Sequence, residues 1–200
     1  MENRKQGIVK WAQELFNQPR FCILDTETTG LDEHSEIVEI AILNKEGKRL
    51  LNQLVKPTKQ IPSHVIGIHG INNDEVKNAP SFKTVWPRVE RLLKRQKHIV
   101  VYNAGFDMKM IEQSCSKYKI EPKLDRFNWK CAMTAYAEFH GEWNYFFDGW
   151  KWQKLITATR WAANYLECTH YGTHRALNDC RNILLVLRAL AQYEPSKESH

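Results

Sequence analysis

FCILDTETTGL, residues 21–31, is the stretch on which the reading of this chain turns. Residues 21–25 are a short apolar run that ends in an acid, the pattern of a buried strand whose last residues leave the core. Side chains alternate across a strand, so Asp25 and Glu27, at i and i+2, point to one face at its end. Thr26, Thr28, Thr29, Gly30 and Leu31 make a hydroxyl-rich turn, and its glycine allows close approach of backbone to a ligand. A single Asp-x-Glu pair fits a solvated strand end as well as a metal site. Its meaning depends on what the rest of the chain brings to it.

Outward from that strand, residues 36–44 and 48–56 are rich in Ile, Val and Leu around the turn Lys45, Glu46 and Gly47, which predicts a hairpin. Pro57 and Pro62 bracket a loop. Residues 81–95 place Phe82, Val85, Trp86, Val89, Leu92 and Leu93 at helical spacing, a helix opened by Ser81 and bent near Pro87. A buried strand is expected over 98–102 and a helix over 107–118, entered through Asn103, Ala104 and Gly105. Helices over 131–139, 152–164 and 176–193 would cover the sheet. Strand and helix alternation of this kind implies an α/β fold with a central sheet.

The 200 residues show no Gly/Ser/Pro-rich linker and no internal repeat, so one globular domain over 19–193 is expected. Ile8, Ala12, Leu15 and Phe16 predict a packed helical extension over 1–18, and 194–200 reads as a polar, flexible tail. The formal charge of +6 fits a basic rim around an acidic centre, the arrangement suited to nucleic acid, and equally a solvated surface. Cys22, Cys115, Cys131, Cys168 and Cys180 are odd in number and include no CxxC pair, which predicts reduced, mostly buried thiols and a cytoplasmic location. The charged start lacks the apolar stretch of a signal peptide and no segment is long enough to span a membrane, so membrane association is not expected.

Two further stretches carry acids. In VYNAGFD, residues 101–107, Asp107 opens a helix after a buried strand, where backbone amides favour a negative group whatever its role. In HRALND, residues 174–179, Asp179 lies near the edge of the apolar stripe of the last helix. His174, in the loop before it, is suited to take a proton from water near neutral pH. Taken singly, each residue has an ordinary structural explanation. Together they supply four carboxylates and one imidazole, and four acids in one cleft are best rationalised by divalent cations that neutralise them.

FCILDTETTGL, VYNAGFD and HRALND resemble, in order, spacing and residue type, the three exonuclease motifs of the DEDDh branch of the DnaQ-like 3′-to-5′ exonuclease superfamily, which includes RNase T and the DNA polymerase III epsilon subunit. IGIHGI, residues 66–71, resembles the loop that this family carries between its first two motifs. The resemblance spans about residues 21–188. It implies an RNase H-like fold, a central mixed β-sheet flanked by α-helices. It also implies two Mg²⁺ or Mn²⁺ ions held by Asp25, Glu27, Asp107 and Asp179, with His174 as general base. Two such ions about 3.5–4 Å apart stabilise both oxygens of an in-line displacement. Carried over in the same way, Thr28, Thr29 and Leu31 would meet the terminal nucleotide, Asn103 and Phe106 would shape its pocket, and His69 would lie in the loop covering it.

The resulting expectation is release of nucleoside 5′-monophosphates from the 3′ end of single-stranded or frayed nucleic acid, DNA favoured, with a polymerase or another protein as a candidate partner. An exoribonuclease and a non-catalytic nucleic-acid-binding or polymerase-docking module remain alternatives. An RNase H-type endonuclease also uses four carboxylates, and the His174 to Asp179 spacing with the TETTGL turn argues against it. Between 143 and 152 six of ten residues are aromatic, with Lys130, Lys151 and Lys154 nearby. That density suits a wall of a single-strand channel, a piece of core or a partner surface. Lys109, Lys123 and Arg126 are candidate phosphate contacts on an otherwise solvated surface.

Overall fold

Apolar side chains that alternate in direction along residues 21–24 and 40–43 commit each strand to two buried faces, and helices cover both. A computed structural model describes residues 2–195 of the chain. Strand β1 (Phe21–Thr28) continues three residues past the apolar run. It pairs antiparallel with β2 (Ile37–Asn44), which pairs antiparallel with β3 (Arg49–Leu54). On its other side β1 pairs parallel with β4 (His98–Val101), and β4 pairs parallel with β5 (Trp129–Cys131). The five-stranded mixed sheet has the order β3-β2-β1-β4-β5, so the acid-bearing strand is central.

The helices are α1 (Glu2–Asn17), α2 (Ser63–His69), α3 (Asn73–Val76), α4 (Phe82–Leu93), α5 (Ala104–Ser116), α6 (Ala132–His140), α7 (Leu155–Tyr165) and α8 (Ala176–Gln192). Helix α4 runs through Pro87 as one element. Residues expected to begin a helix at Cys131 instead end β5 there, and α6 starts at the next residue. The Pro-bracketed stretch closes on α2, which was not expected as a helix.

Phe21, Ile23, Ala41, Leu43 and Val100 pack against α1, α6, α7 and α8, with Cys180, Ile183, Leu187 and Leu190 of α8 fully buried over the sheet. Cys22, Leu24, Ile40, Ile42, Ile99 and Val101 pack on the opposite face against α4 and α5. Each fully buried Leu or Ile contributes about 1.5–3 kcal/mol relative to exposure, which holds α8 against β1 and β2. Carried forward, this alternation turns Asp25, Glu27 and Glu39 toward α8 and Thr26 toward α5.

Helix α1 is tied to the domain at its last turn. Lys45 Nζ donates to the carbonyls of Phe16 (3.1 Å) and Gln18 (2.8 Å), and Gln13 Nε2 donates to Ala191 O at 3.0 Å. All five cysteines are free, with Cys22, Cys115 and Cys180 buried. Among the described residues no helix is long and apolar enough to cross a membrane. The tail expected over 194–200 lies, from residue 196 on, outside the described residues.

Candidate active site

Three elements deliver the acids. The end of β1 carries Asp25 and Glu27 toward the first turn of α8, which carries Asp179, and one carboxylate oxygen from each lies within 4.8 Å of the others. Asp107, in the first turn of α5, is 3% exposed and lies outside that trio, yet close enough for its charge to act on Asp25. Thr26 points away from Asp25 and donates its hydroxyl to Asp107 Oδ1 at 2.9 Å. The same strand thus places two acids directly and orients a third through the residue between them.

Crowding and burial leave these groups poorly compensated by the protein itself. Burial raises the Asp25 carboxyl well above the usual range, and the charges of Asp107, Asp179, Glu27 and Glu39 push it further. Glu27 is pushed up to about 8, first by burial and then by Asp179 and Glu39, with Arg175 opposing. Burial raises Asp107 to about 7 against the hydrogen bond from Thr26. Asp179 is raised by burial against the hydrogen bonds from His174 N–H and Asn182. Converging oxygen donors that repel one another are what hard divalent cations bind best, so the residues present fit Mg²⁺ or Mn²⁺.

His174 is exposed, and its backbone is left-handed with φ +62°, a conformation that costs a non-glycine residue energy. Its N–H donates to Asp179 Oδ2 at 3.0 Å, which places the imidazole-bearing residue directly beside one metal-binding candidate. Fully buried Asn182, one turn on, donates to Asp179 Oδ1 at 3.4 Å and exchanges hydrogen bonds with the backbone of Tyr171.

One position that matters here was not singled out from the sequence. Glu39, 1% exposed, lies directly across from Glu27 in the β1–β2 pairing and receives Arg175 through two hydrogen bonds. The available signal was a lone acid inside the apolar strand IVEIAIL, since Glu is almost never buried without a partner.

The candidate substrate residues divide by how much of each is already committed. Thr28 donates its hydroxyl to Gly30 O at 2.7 Å, and Thr29 Oγ1 accepts Glu36 N–H at 2.9 Å. Gly30 has φ +157°, and a Cβ there would lie 2.9 Å from Ser35 Oγ, so a side chain is disfavoured at this position. Buried His69 accepts Ile71 N–H at Nδ1, so its Nε2–H donates to Thr28 O at 3.2 Å and ties α2 to the turn after the acids. Leu31 is 78% exposed. Asn103 precedes α5 and makes no side-chain cap bond, while Phe106 packs partly into the α4/α5 core.

The aromatic segment folds as a small hairpin of β6 (Trp143–Asn144) and β7 (Gly149–Trp150). The Arg4 guanidinium sits 4.3 Å over the Trp150 ring and Trp143 meets its edge, so Trp150 is packed, while Tyr145, Phe146, Phe147 and Trp152 are exposed. Of the expected basic contacts, Arg126 and Lys151 pair with Glu90 and Glu142.

Residues 22–187 match the RNase T family, described as exonuclease. The chain belongs to this exonuclease family. It is similar to the uncharacterized exonuclease CP81 of Escherichia phage 186, 41% identical over 193 residues, with 94% of this chain and 93% of that one covered. It is also similar to the DNA polymerase III subunit epsilon of Buchnera aphidicola, 33% identical over 111 residues, covering 50% of this chain and 47% of that one. The zinc-bound form of the E. coli exonuclease I complex with single-stranded DNA superposes with a TM-score of 0.71 at 17% identity, over 91% of this chain and 42% of that one. The mixed five-stranded sheet flanked by helices is therefore the RNase H-like fold expected of a DnaQ-like, DEDDh-type exonuclease.

Proposed function

We propose that this exonuclease works from the 3′ end of single-stranded or frayed DNA and releases nucleoside 5′-monophosphates with the help of two divalent cations, Mg²⁺ or Mn²⁺. The observation that carries the reading is the convergence of Asp25, Glu27 and Asp179 within 4.8 Å, with buried Asp107 hydrogen-bonded to Thr26 between the first two and exposed His174 bonded to Asp179. Asp25, Glu27, Asp107 and Asp179 would hold the cations, which when bound supply charge stabilisation to both oxygens of an in-line phosphoryl displacement. His174 takes the proton of the attacking water at a ring nitrogen. Thr28 and Thr29, held in their turn by Gly30 and Glu36, present backbone to the terminal nucleotide. Leu31 packs on its base, and Asn103 and Phe106 line the pocket.

DNA is favoured because the polymerase subunit to which the chain is similar is named for DNA synthesis, and that likeness also makes a polymerase the partner we favour. Residues 19–193 form the exonuclease domain and 1–18 an extension docked on it. The five free cysteines support a reducing, cytoplasmic setting. The test is incubation with Mg²⁺ or Mn²⁺ and matched 5′-labelled DNA and RNA, single- and double-stranded, with Asp25→Ala as control. A ladder shortening from the 3′ end of DNA, abolished by chelation, is expected. Preference for RNA would replace the substrate, and binding without cleavage would reduce the chain to a docking module.

A further inference from the structure

Glu39 is an acid whose charge acts on Asp25, Glu27 and Asp179, yet both of its oxygens already accept hydrogen bonds from the protein. Oε1 accepts Arg175 Nη2 at 2.9 Å, and Oε2 accepts both Arg175 Nε at 3.1 Å and the backbone N–H of Ala176 at 2.9 Å. The pair is bidentate, the geometry in which Arg binds a carboxylate with the greatest orientational precision. It joins β2 to the residue that immediately precedes α8, across 136 positions of sequence.

Two costs in the structure explain why such a contact is there. Glu27 and Glu39 are cross-strand partners on one face of the sheet, and like charges directly opposite destabilise a pair. Arg175 takes up the charge of Glu39 and leaves Glu27 facing the cleft. His174, immediately before Arg175, holds the left-handed backbone, and strain of that kind persists only where surrounding contacts over-determine it. On one side the constraint is the His174 N–H bond to Asp179. On the other it is the grip of Glu39 on the next two residues, Arg175 and Ala176.

We propose that Glu39 and Arg175 form a latch that positions His174 for the exonuclease reaction, with Glu39 a positioning residue and not a fifth metal ligand. The proposal rests on the functional reading above. It assigns Arg175, whose side chain is 41% exposed, a task that its lone charge would not reveal.

The test combines Glu39→Gln, which keeps shape and one acceptor, with Arg175→Ala and the double variant. Expected are losses in kcat on the order of 10²-fold, since displacement of a catalytic group by about 1 Å costs that much. KM and calorimetric Mn²⁺ affinity should stay near wild type, and the double variant should be no worse than Arg175→Ala alone. Millimolar guanidinium should restore kcat to Arg175→Ala and not to His174→Ala. Weakened Mn²⁺ binding in Glu39→Gln would make Glu39 a ligand and overturn the assignment, as would additive losses or unchanged kcat in folded Arg175→Ala. Amide hydrogen exchange at His174 and Ala176 reads the latch without any activity. Protection lost in Arg175→Ala supports it, and protection retained overturns it. A wild type that cleaves no nucleic acid while this protection is lost on mutation would instead sink the exonuclease reading and leave the latch as a structural contact, which overturns its role in catalysis.

Discussion

Thr26 and Asp107 are joined through the sheet: the hydroxyl on β1 donates to the carboxylate in the first turn of α5 at 2.9 Å, across 81 positions of sequence, with both residues buried. Replacing Thr26 by Val keeps the volume and removes the donor, which leaves a buried carboxylate short of a partner. The expected cost is about 1–3 kcal/mol in stability. Turnover should fall about tenfold as Asp107 loses its orientation. Thr26→Ser should retain most of both, and denaturant unfolding with single-turnover kinetics on labelled oligonucleotide would check the pair.

His174 separates two roles of one residue. Substitution by Ala should cut turnover by about 10²–10⁴-fold through loss of the general base, while calorimetric Mn²⁺ affinity stays near wild type. His174→Gly should be equally inactive yet more stable than His174→Ala by about 1 kcal/mol, because glycine adopts the left-handed backbone at φ +62° without a Cβ penalty. Near-normal turnover in either variant would remove His174 from the chemistry.

The long elements were legible because their burial follows a period. Ile183, Leu184, Leu187 and Leu190 mark α8, and Ile40 and Ile42 against Ala41 and Leu43 mark the two faces of β2. β5 was not legible. Its three residues are all half-buried, and it exists through parallel pairing with β4, which no local pattern contains. Strands β6 and β7, two residues each, left only an aromatic-rich composition in the sequence. At the site, carboxylates announce themselves by chemistry, so the meeting of β1, α5 and α8 could be anticipated. Thr26 and Glu39 could not be assigned partners, because Asp107 and Arg175 are distant in sequence and reach them only through the sheet.

Leu31 tests the approach of substrate without disturbing the fold. Its side chain is 78% exposed, so Leu31→Ala should leave thermal stability unchanged. Loss of apolar contact with a terminal base of roughly 1.4 kcal/mol would raise KM about tenfold with kcat largely retained. Steady-state kinetics on a single-stranded oligonucleotide would decide it, and an unchanged KM would place Leu31 outside the binding surface.

Metal and pH should act on stability through the same carboxylates. Glu27 is raised from its ordinary 4.5 to about 8, so between those values the folded protein holds a proton that the unfolded chain has released. Stability of the metal-free protein must therefore fall as pH rises through that window, with Asp107, raised to about 7, adding to the slope over its own range. Below the ordinary carboxylate range both states are protonated and this contribution disappears. Cations held by these acids, as proposed above, would replace those protons and reverse the trend. At a concentration about one hundred times Kd each bound cation adds roughly 2.7 kcal/mol, or about 5–10 °C in Tm for a chain of this size. Thermal unfolding in chelator and in Mn²⁺ across this window should show a stabilisation that grows with pH. It should be much reduced in Asp25→Ala, and a metal effect that is flat with pH would separate the acids from the cation.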